Sequence, residues 1–114
     1  MEAQNDIKWF LVFDSIETAT NTLQLNKPVL IKADETKICL VRTNDGFFAI
    51  EELCPHLGAS FSQGHVNYLN EIICPWHSYR YHLKTGEECE FKTVAAKTFP
   101  VKIEDERLYV GVVN

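Results

Sequence analysis

Two short boxes constrain this chain more than any other feature: Cys54-Pro55-His56-Leu57-Gly58 and Cys74-Pro75-Trp76-His77, with residues 57–73 between His56 and Cys74. In an extended loop, residues two apart point to the same side with Cα atoms about 6–7 Å apart. Each box therefore offers one sulfur and one imidazole to a single region. Thiolates are soft ligands suited to iron–sulfur clusters or zinc, and imidazole suits iron, zinc and copper. Pro follows Cys in both boxes, which stiffens the loop and removes one backbone donor. Two such loops can clasp a compact binuclear cluster. Zinc is the competing reading, because two Cys and two His also close a tetrahedron. Zinc fingers, however, usually pair Cys with Cys and His with His, whereas each loop here mixes the two types.

Strand signals surround the boxes. Lys8–Phe13, Val29–Lys32, Ile38–Thr43 and Phe47–Glu51 are short apolar runs separated by turn residues. Asn44-Asp45-Gly46 divides two of them as a hairpin turn does. Thr98–Glu104 and Arg107–Val113 flank Asp105-Glu106 and predict a closing hairpin. Ser15–Thr20 predicts a helical turn capped by Asp14 or Ser15. No repeat, linker or low-complexity segment interrupts residues 1–114, which are read as one domain. The fold expected is an all-β antiparallel sandwich or barrel with an inserted cluster-binding part of two loops, about residues 52–84.

Cys-x-His followed by Cys-x-x-His closely resembles the Rieske iron–sulfur signature. The similarity extends through Cys-Pro-Trp-His to Leu83-Lys84-Thr85-Gly86-Glu87, which looks like the turn after the second box in Rieske ferredoxins of oxygenase systems. The flanking strands suit that family's fold, so the resemblance covers the whole chain. It implies one [2Fe–2S] cluster, with Cys54 and Cys74 on one iron and His56 and His77 on the other. Replacing two thiolates by neutral imidazoles makes an electron easier to add. Rieske centres accordingly lie at roughly −150 to +300 mV, above plant-type ferredoxins.

The pattern also departs from relatives in specific ways. Rieske proteins of cytochrome bc-type complexes carry an extra cysteine in each box, joined as a disulfide; Ala59 and Trp76 stand there here. Those proteins also use a Ser and a Tyr as hydrogen-bond donors, and the aligned positions hold Tyr79 and Tyr81. A lost donor leaves sulfur charge less stabilised, so a potential in the lower half of the Rieske range is expected. Ser78 stands where ferredoxins commonly have Gly, a residue that accepts positive φ, and His82 stands where Asp is common. Trp76 is expected to cover the cluster.

From Leu53 to Asn70 there is no Lys, Arg, Asp or Glu, so the tip can approach a partner without stripping water from charges. His65 and His82 are read as strand or turn residues, Cys39 as a buried small hydrophobe and Cys89 as a free thiol whose thiolate nearby carboxylates disfavour. A Cys39–Cys89 bridge is a lesser alternative. The net charge of −5 argues against a nucleic-acid partner. No signal core or apolar run of the ~20 residues that a membrane span needs is present. A cytoplasmic monomer is expected.

The function implied by the resemblance is one-electron transfer from a reductase, a flavoprotein by class, to a terminal oxygenase or similar acceptor. The chain itself is then not an enzyme. After His77 only His82 remains to supply a mononuclear iron site, which leaves no room for an oxygenase domain. Two rivals stand beside this reading: a Rieske-like small subunit of a larger reductase such as nitrite reductase, and a zinc-stabilised interaction module.

Overall fold

The structure, a computed structural model, describes residues 6–113. Residues 1–5, at the N-terminal start to which the expectation about a targeting segment applies, lie outside them. In chain order the elements are β1 (Ile7–Phe13), α1 (Ile16–Thr22), β2 (Val29–Ala33), β3 (Thr36–Thr43), β4 (Gly46–Glu51), β5 (His65–Val66), β6 (Glu71–Ile73), β7 (Arg80–His82), β8 (Thr98–Phe99), β9 (Val101–Glu104) and β10 (Arg107–Val113). They form three antiparallel sheets, ordered β1-β10-β9, β2-β3-β4-β8 and β5-β6-β7. The all-β architecture with an inserted loop-bearing part is the one expected.

β3 explains how two cores share one sheet. Successive side chains of a strand point to opposite faces, and Ile38-Cys39-Leu40-Val41 is buried throughout. Ile38 and Leu40 join Ala19, Leu23, Leu108 and Val110 on one side. Cys39 and Val41 join Ile50, Phe61, Ile72, Tyr81 and Leu83 on the other, the side that also holds Cys54 and Cys74. The site is thus seated directly on the central sheet's second face.

Local signals mostly act as read. Thr43 pairs with Gly46 across the Asn44–Asp45 turn, and Gly46 has φ 127. Ser15 caps α1 by accepting from the Thr18 N–H at 3.0 Å, and the helix runs on to Thr22. One expectation needs correction. Thr98–Glu104 is two strands, not one: Thr98–Phe99 pairs with β4, Val101–Glu104 pairs with β10, and Pro100 separates them. Proline has no N–H for the ladder, so it sits where the chain changes sheets.

Candidate metal centre

The two boxes fold as matched loops. In the first, the Cys54 N–H donates to the Ala59 carbonyl at 2.8 Å and the Gly58 N–H to the Cys54 carbonyl at 2.7 Å. Gly58 has φ 79 with open space where a Cβ would point, so conformation rather than crowding calls for glycine there. In the second, the Cys74 N–H donates to the Tyr79 carbonyl at 2.8 Å. This loop is the tip of the β6–β7 hairpin, whose register pairs Ile73 with Arg80 and Ile72 with Tyr81. His77 and Ser78 both take left-handed φ, 65 and 57. The conformation that Gly commonly supplies is therefore kept, and Ser78 adopts it at a steric cost. The first loop is anchored from below by Glu52, a buried residue whose carboxylate accepts from the Ser62 N–H and hydroxyl.

These loops set the four box residues near one another as two pairs, thiol beside thiol in one core cluster and imidazole beside imidazole. Cys54 and Cys74 are both buried in the same core cluster. Burial, opposed by the Trp76 N–H and reinforced by Cys54, pushes the Cys74 thiol up to about 11. The imidazoles lie outside them: His56 is half-buried, His77 is exposed, and their ring centroids are 5.2 Å apart. The Tyr81 hydroxyl contacts Cys54 Sγ at 3.2 Å. Burial and then the neighbouring Cys54 raise the Tyr81 phenol, which keeps its proton available for donation to a thiolate.

Tyr79 uses its ring rather than its hydroxyl. It stacks on His56 with centroids 4.0 Å apart and 10° between planes, and Lys92 Nζ lies 5.2 Å from the Tyr79 centroid. Nothing in the linear spacing marked this contact. Trp76, expected to cover the site, is instead 52% exposed, because it sits at the apex of a tight turn. With Leu53 and Leu57 it adds an exposed apolar rim. Cys39 is buried behind the site, and both it and Cys89 are free thiols, so the alternative disulfide does not form.

Two observations bear on what the donors can hold. Among the described residues, His56 Nδ1 is the buried side-chain N/O atom with no hydrogen-bond partner. Burying such an atom unpaired is costly, and metal coordination would satisfy it. The four ligand candidates also do not converge on one point: among the described residues, the group whose atoms all lie within 4.8 Å of one another is Glu71, His82 and Cys89. Ligands of a tetrahedral zinc stand only about 3.3–3.8 Å apart. The wider spread fits a binuclear group of two irons.

Comparisons with known proteins agree with this chemistry. A match to the Rieske [2Fe–2S] domain family spans residues 9–102. The chain is 34% identical over 76 residues to the 3-phenylpropionate/cinnamic acid dioxygenase ferredoxin subunit of Photorhabdus laumondii, covering 66% of this chain and 72% of that one. It is 37% identical over 75 residues to human apoptosis-inducing factor 3, covering 65% of this chain but only 12% of the length of that protein. Among solved structures, a Mycobacterium tuberculosis chain assigned as the small subunit of an NADH-dependent nitrite reductase superposes with a TM-score of 0.82 at 20% identity, covering 96% and 99% of the two chains. That last likeness concerns the fold alone. The chain belongs to the Rieske [2Fe–2S] domain family, and the cofactor that goes with it is a [2Fe–2S] cluster.

Proposed function

We propose that the chain is a one-electron carrier in which Cys54, His56, Cys74 and His77 hold the cluster. The observation that carries this reading is the gathering of two buried thiols and two outward imidazoles on matched loops, with His56 Nδ1 buried and unpartnered. When bound, the cluster supplies a one-electron couple, raised in potential by its imidazole ligands. Cys54 and Cys74 shield their sulfurs from water behind the two loops. Tyr81 donates its hydroxyl proton in a hydrogen bond to Cys54 and stabilises negative charge there. His77, exposed at the tip, gives the shortest way out for an electron, and the uncharged rim of Leu53, Leu57 and Trp76 lets a partner come close.

The electron donor on this reading is a reductase, a flavoprotein by class, and the acceptor a terminal oxygenase, as the name of the dioxygenase ferredoxin relative suggests. The chain works as a cytoplasmic monomer and catalyses no reaction of its own. No helix among the described residues is long and apolar enough to cross a membrane. A nitrite-reductase subunit shares the fold, and co-purification as a stoichiometric complex would favour that role instead. The ligand assignment is tested by iron analysis of Cys74→Ser and His77→Ala. Both should lose most of their iron and visible absorption while far-UV circular dichroism keeps its strand character. Full iron content in either variant would contradict the assignment.

A further inference from the structure

Below the tip of the β6–β7 hairpin, the ladder juxtaposes a second set of ligands. Glu71 on β6 stands opposite His82 on β7. The chain then turns back along β7: the His82 N–H donates to the Glu87 carbonyl at 2.9 Å, Tyr81 bridges Glu88, and the Cys89 N–H donates to the Arg80 carbonyl at 2.7 Å. This return brings Cys89 beside the ladder. One carboxylate oxygen, one imidazole nitrogen and one thiol sulfur come within 4.8 Å of one another.

Their surroundings resemble the support that metal ligands receive. Glu71 is 6% exposed, and its Oε1 accepts from Asn67 Nδ2 at 2.8 Å and from Arg80 Nη1 at 2.9 Å, which fixes the carboxylate. Outer partners of this kind orient ligands in metal sites. The Cys89 sulfur lies within 4.8 Å of a Glu71 carboxylate oxygen. Glu88 is also buried, but its Oε1 is taken by the Glu90 and Lys92 N–H groups, so it adds charge rather than a ligand. Arg80 opposes a cation, and Glu90 offsets it from 3.9 Å.

We propose that Glu71, His82 and Cys89 form a second metal site, for zinc or a similar borderline-soft divalent cation, at the base of the hairpin that carries Cys74 and His77. Thiolate, imidazole and carboxylate are all zinc ligands, with bonds of about 2.0–2.3 Å, and three protein ligands leave a fourth position for water. The side chains must draw together from their present spacing by about an ångström. Binding displaces the Cys89 thiol proton to solvent and forms one sulfur–metal bond, so the site fills less readily as pH falls. A bound ion would clamp β6, β7 and the returning chain beneath the second loop.

The test uses cluster-loaded protein, zinc ions and a competing chromophoric zinc chelator, with iron and zinc measured per chain after desalting. Wild-type protein should retain about one zinc with its iron unchanged, and His82→Ala and Cys89→Ser should each bind roughly 100-fold more weakly or worse. Zinc should also raise the melting temperature of wild-type protein and leave the His82→Ala, Cys89→Ser double variant unmoved. Equal zinc affinity in wild-type and double variant, or zinc uptake matched by loss of iron, would overturn the site. Iron content and the reduced-state spectrum report on the cluster separately, so failure here is distinct from failure of the carrier reading.

Discussion

Tyr81 and Tyr79 show how one residue type serves the same centre through different atoms. Tyr81 is fully buried and meets Cys54 Sγ through its hydroxyl, while Tyr79 meets His56 through its ring face. The first contact acts on charge. A hydrogen bond to a charged group contributes roughly 1.5 kcal/mol, and it stabilises sulfur more in the reduced state, where more negative charge resides. Tyr81→Phe should therefore lower the midpoint by up to about 60 mV, the limit reached if the whole bond energy is gained on reduction, since a tenfold change in a one-electron equilibrium corresponds to about 59 mV. Potentiometric titration of cluster-loaded protein measures this directly, and an unmoved midpoint would remove Tyr81 from the tuning of the centre. The wild-type midpoint itself is expected below about +150 mV, because Tyr79 supplies no hydroxyl in the place of the missing serine donor.

The loops and hairpins carry strain in identifiable places. Ser78 holds φ 57 in a loop closed by the Cys74–Tyr79 bond, a conformation that costs an L-residue about 1–2 kcal/mol. Ser78→Gly removes that cost and adds about 0.5–1 kcal/mol of backbone entropy to lose on folding. A net gain of roughly 0.5–1 kcal/mol follows, visible as a higher melting temperature with an unaltered cluster spectrum; a lower one would mean the serine side chain makes a stabilising contact. The same loops show what linear reading can reach. Box spacing singles out Cys54, His56, Cys74 and His77 as the candidate ligands, and β3 and β4 are legible because a Gly-containing turn separates two apolar runs. The change of sheet at Pro100 was legible in principle, since proline interrupts a ladder, but the run around it looked continuous. The Tyr79 stack, the exposure of Trp76 and the approach of Cys89 to Glu71 depend on the β6–β7 register and the fold of the return, which no local pattern encodes.

At the scale of the whole molecule, two cores on opposite faces of one sheet support a site held by short strands and loops. Its acid response should be set in part by Glu71. Hydrogen bonding from Asn67, with further help from Cys89 and Arg80, holds this carboxyl below its usual value despite the opposing effect of burial. The unfolded chain thus binds the proton more readily, so the stabilisation is complete above the ordinary glutamate value of about 4.3 and fades as pH falls through the lower folded one. Thermal melts from neutral pH downward should show Glu71→Gln starting lower than wild type and losing less below about pH 4.3. Parallel losses in the two proteins would show that other carboxylates dominate.

The central claim, a binuclear cluster held by mixed Cys and His ligands, is tested most directly by electron paramagnetic resonance of the purified protein after dithionite reduction, with iron and zinc content measured on the same sample. A rhombic signal with an average g below that of all-cysteine clusters, from two irons per chain, is the expected result. A silent spectrum from a chain in which zinc, not iron, occupies the two boxes would contradict it and leave a structural module in place of an electron carrier.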